Sequence, residues 1–71
     1  MNGEPTTFVL SGDELVVADL GDGWFVCWGG RSVRARYLDL ALAELLGLPP
    51  GLVLSLVKQI LEGEPGEELS L

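Results

Sequence analysis

The fold of this chain is decided by residues 15–35, which read LVVADLGDGWFVCWGGRSVRA. The stretch is rich in β-branched and aromatic residues, which favour extended strands. Two dipeptides, Gly21-Asp22 and Gly29-Gly30, interrupt it at the spacing of two-residue hairpin loops. The sequence therefore predicts three consecutive antiparallel strands separated by these two loops.

A further strand is predicted upstream of this stretch. Residues 6–10 are rich in strand formers, and Gly12-Asp13 supplies another hairpin loop. With these loops, opposed residues share a face, and all three turns place the same apolar set on one side of the sheet. A three-residue loop at residues 21–23 is the alternative and would break this agreement. The predicted inner set is Phe8, Leu10, Leu15, Val17, Trp24, Val26, Trp28, Val33 and Ala35.

The loop positions also predict the register of the strands. With Gly12-Asp13 as the first loop, Leu10 lies opposite Leu15. The second loop places Val17 opposite Val26. The other face of the sheet is half apolar, and such a face is predicted to be partly covered or used in association. That outer set is Val9, Val16, Ala18, Phe25, Cys27, Ser32, Arg34 and Arg36.

The segment after Gly29-Gly30 has two interpretations. Residues 31–36 alternate apolar and polar side chains, which favours a strand, whereas a helix capped by Ser32 is the competitor. Leucine and alanine then recur at helical spacing over residues 37–46, and Gly47 is suited to end that helix. We therefore expect a strand followed by a helix.

A second helix is predicted over residues 52–62, after the stiff link Pro49-Pro50. It is apolar over most of its circumference, so it is expected to be buried on more than one side. In so small a protein the second side is expected to be another molecule. The candidate self-association residues are Leu52, Leu56 and Ile60.

These patterns predict an α+β domain, with an antiparallel β-meander of three to four strands followed by two helices packed on one sheet face. A chain of 71 residues allows one domain and a marginal core. The domain is placed at residues 6–62. Residues 1–5 are expected to be a flexible lead-in, and residues 63–71 an acidic flexible tail.

The charges fall into three blocks. Residues 1–30 carry five acids and no base, residues 31–61 have a net charge of +2, and residues 62–71 carry four acids and no base. The total is −7, a charge that repels nucleic acid and anionic membranes and attracts basic partners. We therefore expect a protein partner with a basic surface, and neither direct nucleic-acid binding nor a membrane.

The acids concentrate at the predicted turns and after the second helix. Turn tips project into solvent, so their carboxylates could form one negative rim that presents charge where a partner ordinarily binds phosphates. The alternative interpretation is that turn carboxylates serve local hydrogen bonding and solubility. The candidate partner-binding residues are Asp13, Glu14, Asp19, Asp22, Glu62 and Glu64.

The inventory of catalytic groups is thin. The chain has no histidine, so the commonest general base and Ser-His or Cys-His pairs are missing. Residues 19–30 fail as a calcium loop because glycine stands at the third and twelfth positions. We expect no enzyme activity, no cofactor and no metal, with a carboxylate enzyme as the least favoured hypothesis.

Two further features bear on environment and on pairing. Cys27 is the only cysteine, which predicts a small buried hydrophobe in a reducing, cytoplasmic compartment. The three arginines, Arg31, Arg34 and Arg36, are predicted to pair with the chain's own acids or to stack on aromatic rings.

The leading functional hypothesis is a small acidic inhibitor or adaptor that docks on a basic, nucleic-acid-binding site of another protein. A phage-type inhibitor of a bacterial defence system is an example, by analogy of size and charge only. The alternative is a homodimeric structural or regulatory module that associates through the apolar second helix.

Overall fold

The computed structural model describes residues 4–71 and shows a five-stranded sheet with helices on one face. This confirms the predicted α+β class, with one strand more than expected. The strands lie in the spatial order β4-β3-β2-β1-β5. The elements are β1 (Pro5–Leu10), β2 (Asp13–Asp19), β3 (Trp24–Trp28), β4 (Arg31–Ala35), α1 (Leu38–Leu46), a 3-10 helix (Pro50–Val53), α2 (Leu54–Glu62) and β5 (Glu68–Leu69).

The first hairpin differs from its prediction by two residues in register. Its loop is Ser11-Gly12, and both residues have positive φ, as a tight primed turn requires. Asp13 therefore stays in β2, and Phe8 rather than Leu10 lies opposite Leu15. Because the shift is an even number of residues, every side chain keeps its predicted face.

The other two hairpins have the predicted registers. Val17 lies opposite Val26, and Val26 in turn lies opposite Val33. The second turn is closed by a backbone hydrogen bond from the Leu20 N–H to the Gly23 carbonyl, at 2.9 Å. The alternative prediction of a three-residue loop at residues 21–23 is therefore wrong. Residues 31–35 form a strand rather than a helix.

The two helices begin and end close to the predicted positions. Gly47 ends α1 in the left-handed conformation, with φ of 71°, and its N–H bonds to the Ala43 carbonyl. Pro50 opens a 3-10 helix, and α-helical geometry starts only at Leu54. The second predicted helix is thus two elements with a change of winding between them.

The core lies between the helices and the inner face of the sheet. Leu15, Val26, Leu42 and Leu56 are fully buried there. The predicted inner set is confirmed, although its members Trp24 and Trp28 on β3 and Val33 and Ala35 on β4 are only partly buried. Trp28 links β3 to β1 by a hydrogen bond, in which its indole N–H donates to the Leu10 carbonyl at 2.9 Å.

The segment predicted to be an acidic tail contains the fifth strand. β5 pairs in parallel with β1, and Leu69 is only 3% exposed. The side-chain amide of Gln59 fixes Ser70 by donating to its carbonyl at 2.6 Å and accepting from its N–H at 3.0 Å. The domain boundary at residue 62 is therefore wrong. The edge of β1 offered unpaired backbone groups, and β5 satisfies some of them.

The predicted lead-in lies partly outside the described residues. Residues 1–3 are not described, whereas Pro5 already belongs to β1. Within residues 4–71, no single helix is long and apolar enough to cross a membrane. The helical segments Leu38–Leu46 and Pro50–Glu62 reach that length and composition only together, and a bend of 105° separates them.

Candidate acidic docking site

The predicted acidic residues lie at two opposite ends of the sheet. Asp13 and Glu14 begin β2 beside the first hairpin, whereas Asp19 ends the same strand. Six residues of extended chain span about 20 Å, at roughly 3.3 Å per residue. Asp13, Glu14, Asp19 and Asp22 therefore do not form one rim, and that expectation is wrong.

A pocket of about 240 Å³ lies at the Asp19 end, on the face that the helices cover. The register explains how its polar residues meet. Asp19 lies opposite Trp24, and Pro5 lies opposite Ala18, so the preceding Glu4 continues the ladder beside Asp19. Glu4, Asp19 and Trp24 thus form the last cross-strand row of the inner face, and all three line the pocket.

The rest of the pocket is mainly apolar. Val17 belongs to the neighbouring row of the sheet and Phe8 to the row beyond it, and Ile60 and Leu61 come from the last turns of α2. These positions are fixed by the core, because Phe8 and Val17 are themselves buried. The pocket therefore combines a preformed apolar wall with two carboxylates.

The pocket exists because α2 stops before it covers the end of the sheet. Gly63 follows the helix, and a Cβ atom there would lie 2.5 Å from the Gln59 carbonyl oxygen. Such an approach is too close for any side chain without a backbone shift, so glycine permits this tight exit. The chain then passes Pro65, which also lines the pocket.

Glu62 and Glu64 flank Gly63 and are exposed at this same end. The Glu64 N–H donates to a carboxylate oxygen of Glu67 at 3.0 Å, which fixes the turn between α2 and β5. Glu62 and Glu64 adjoin the lining residues Leu61, Gly63 and Pro65 in sequence but do not line the pocket themselves. Asp13 and Glu14 lie at the other end of the sheet.

Asp19 is positioned by its own turn. Its carboxylate accepts a hydrogen bond from the Gly21 N–H at 2.9 Å. An ionised carboxylate has about four lone-pair sites, so most of its accepting capacity is left for another donor. The alternative interpretation, in which a turn carboxylate serves local hydrogen bonding, accounts for this bond. It does not account for the adjacent pocket.

Arg34 and Asp22 form the one ion pair found within residues 4–71. Their atoms are 3.7 Å apart, and the side chains are 66% and 79% exposed. A pair this exposed contributes about 0–1 kcal/mol. The predicted neutralisation of the acids by the arginines therefore holds for Asp22 only, and the charge of the pocket end persists.

The predicted self-association residues do not share a surface. Leu56 and Ile60 are buried in the core, at 0% and 7% exposure, whereas Leu52 is 63% exposed. The prediction is wrong for Leu56 and Ile60, because the buried stripe of this segment runs through Val53, Leu56 and Ile60 and faces the sheet.

Sequence reasoning placed Trp24 in the core and attached no role to Glu4. The pairing of Asp19 with Trp24 was implied by the predicted Gly21-Asp22 loop. The predicted Gly12-Asp13 loop, however, placed Thr6 rather than Glu4 opposite Asp19, so the row could not be found from the sequence.

No protein-family model matches the chain, and no curated protein or solved structure shows significant similarity to it. Among the described residues, no group of three or more Asp, Glu or Cys side chains is arranged to hold a metal ion. The function is therefore inferred from the pocket, the charges and the faces of the sheet.

Proposed function

We propose that this chain is a non-enzymatic protein-binding module, an inhibitor or adaptor, that docks the pocket end of its sheet on a basic surface of another protein. The observation that carries the proposal is that Glu4, just before β1, and Asp19, at the end of β2, line the same apolar pocket beside Trp24.

Net charge and pocket have different parts in this proposal. A net charge of −7 accelerates encounter with a basic surface and disfavours acidic ones. Exposed carboxylates such as Glu62 and Glu64 contribute about 0–1 kcal/mol each once docked. Affinity then depends on a desolvated anchor, and the pocket is where a partner residue can be desolvated.

A basic surface that ordinarily binds nucleic acid is the target this module fits best. Such surfaces hold arginine and lysine in positions suited to phosphates, and carboxylates can occupy the same positions. Docking would then exclude the nucleic acid by direct competition. A phage-type inhibitor of a bacterial defence system is one protein of this kind, by size and charge alone.

The test compares two triple variants with the same change of net charge. One variant removes the pocket-end charges with Glu4→Gln, Asp19→Asn and Glu62→Gln. The control removes three charges elsewhere with Asp13→Asn, Glu14→Gln and Glu68→Gln. The partner is captured from host lysate with the wild-type chain and identified by mass, and its affinity for each variant is measured at low and high salt.

We expect the pocket-end variant to bind at least about tenfold more weakly than wild type at low salt, the size of effect seen when charged groups at an interface are lost. The control should bind within about threefold of wild type, because remote charges mainly alter the encounter rate. Equal losses in both variants, or no loss in either, would contradict docking through the pocket end.

A second candidate function, self-association, is favoured by the outer face of the sheet. Within residues 4–71 no helix covers this face, and Val16, Phe25 and Cys27 are partly exposed on it. The helices lie on the opposite side, so the predicted dimer surface on α2 is replaced by the sheet.

The order of the strands allows a second copy of the chain to pack on the outer face. Arg34 lies on the edge strand β4, Glu14 on the central strand β2, and Glu68 on the opposite edge strand β5. A two-fold axis parallel to the strands would place β4 of one copy over β5 of the other, with β2 crossing β2 at the centre. This rotation keeps each residue at the same level along the strands, so Arg34 would lie level with Pro5 and Ala18 of the second copy and not with Glu14 or Glu68.

Sedimentation velocity over micromolar to millimolar concentrations tests this arrangement. We expect a dimer in the wild type and a monomer in Val16→Lys, which puts a charge at the centre of the contact. A wild type that sediments only as a monomer contradicts the dimer. Circular dichroism of Val16→Lys checks that the variant is still folded.

A further inference from the structure

We propose that the pocket binds the guanidinium group of an arginine side chain of the docked protein. This inference deepens the proposed function and rests on it, because the arginine belongs to the partner. It specifies what Glu4, Asp19 and Trp24 recognise.

The size of the pocket indicates a single side chain. Pockets that hold small-molecule ligands or cofactors are about 300–1,000 Å³. The pocket here, of about 240 Å³, is smaller than that range. It is also open at the end of the sheet, where a side chain from another surface can enter.

The lining indicates a ligand with an apolar stem and a cationic head. Phe8, Ile60 and Leu61 offer apolar surface to a chain of methylene groups. Glu4 and Asp19 accept hydrogen bonds from a cation, and such charge-assisted bonds are stronger than neutral ones. A neutral or anionic ligand would leave the carboxylates without a partner.

The row itself contains an unfavourable pair that a cation would relieve. Residues directly opposite each other on antiparallel strands have Cβ atoms about 4.5–5.5 Å apart, and like charges at such positions are destabilising. Continuing the β1–β2 register one residue beyond Pro5 places Glu4 in such a position relative to Asp19. A cation between them converts the repulsion into two attractive contacts.

Trp24 selects arginine over lysine. It lies opposite Asp19, so a group bound to the Asp19 carboxylate is next to the indole. A guanidinium is planar, can stack on an aromatic ring, and presents a fork of donors to carboxylates. An ammonium group is a compact, strongly hydrated point charge and loses more hydration in an apolar pocket.

The test titrates three small probes into the full-length, isotope-labelled chain and follows backbone and indole resonances. The probes are Nα-acetyl-arginine amide, its lysine analogue, and its citrulline analogue, which has nearly the same shape as arginine without the charge. We expect saturable shifts at Glu4, Asp19, Trp24 and Leu61 with the arginine probe, weaker ones with lysine, and none with citrulline.

Matched variants locate the binding. Asp19→Asn keeps an oxygen that can accept the Gly21 N–H, so the turn is preserved while the charge is lost. We expect it to weaken the arginine probe about tenfold, as for loss of a charge-assisted hydrogen bond. Glu14→Gln, which removes one charge at the opposite end of the sheet, should leave the affinity unchanged.

Three results would overturn the inference. They are equal binding of the citrulline probe, equal binding of the lysine probe, and arginine binding that Asp19→Asn does not weaken. If the pocket-end triple variant loses its partner while the arginine probe fails to bind, the proposed function holds and this inference is wrong. If the probe binds but the partner's affinity is unaltered in that variant, the proposed function fails instead.

Discussion

The two faces of the sheet are built from alternate residues of the same strands, yet only one is covered. Leu15 and Val26 are fully buried under the helices. Their immediate neighbours Val16 and Cys27 point to the other side and are partly exposed. Apolar character alone therefore does not tell which face becomes the core of a small α+β domain.

The faces differ in the size of their apolar residues and in the positions of their charges. The inner face holds large apolar residues across four strands, from Phe8 on β1 to Val33 on β4. The outer face carries Glu14 on the central strand β2 and Arg34 on the edge strand β4. Covering it with a helix would desolvate charges without giving them partners, which costs several kcal/mol. The charges of the inner face, such as Asp13 and Asp19, lie only at the ends of β2, so the helices can pack on its apolar middle.

The largest effect that separates the faces is expected from the pair Leu15→Ala and Val16→Ala. Leu15→Ala should lower the free energy of unfolding by about 2–5 kcal/mol, because it leaves a cavity among buried neighbours. Val16→Ala should lower it by less than about 1.5 kcal/mol, because Val16 is partly exposed and has no helix above it. Chemical denaturation monitored by tryptophan fluorescence measures both.

The ratio of the two losses is the informative quantity. If Val16→Ala were as costly as Leu15→Ala, the outer face would be covered under the conditions of the measurement. Repeating the denaturation at several protein concentrations would then identify a second copy, because the stability of a dimer rises with concentration.

The face on which each strand residue lies could be predicted from the sequence, because it depends only on whether the residue's position along the strand is odd or even. The first loop was predicted one residue too far along the chain. The prediction therefore placed Leu10 opposite Leu15, where the structure has Phe8. A shift of two residues in register leaves each side chain on the same face. The second and third loops contain glycines at positions that need positive φ, and both registers follow from them.

The fifth strand could not be predicted in the same way. β5 is two residues long and pairs in parallel with β1, from which it is separated by almost the whole chain. No turn signature accompanies such a pairing, and Glu67-Glu68 indicates a solvated tail by composition. Its position depends on the free edge of β1, which is known only once the sheet is assembled.

The candidate site was predicted only in part, because it too depends on the assembled fold. Asp19, Glu62 and Glu64 were selected for their charge, and all lie at the pocket end. Glu4 and Trp24 were missed because the pocket depends on where α2 stops relative to the sheet. The side of α2 that is buried was also predicted wrongly, because the 3-10 turn before α2 was not foreseen. Leu56 and Ile60 therefore face the core.

A smaller effect is expected from β5, which extends the covered face by one strand. Leu69→Ala should lower the free energy of unfolding by about 1–3 kcal/mol, less than Leu15→Ala, because a terminal strand can detach without opening the whole core. Leu71→Ala is the matched control: Leu71 is 67% exposed, and its loss should change stability by less than about 0.5 kcal/mol.

Hydrogen exchange of the Val9 amide sharpens this prediction. The Val9 N–H donates to the Glu67 carbonyl at 3.0 Å, so its protection reports the docking of the segment that carries β5. In Leu69→Ala the Val9 amide should exchange faster while the Val26 amide, in the middle of the sheet, keeps most of its protection. Because Pro65 lines the pocket and is followed by β5, the same variant should also weaken the arginine probe. Unchanged exchange at Val9 would show that Leu69 does not hold the segment, and the wall of the pocket would then need another anchor.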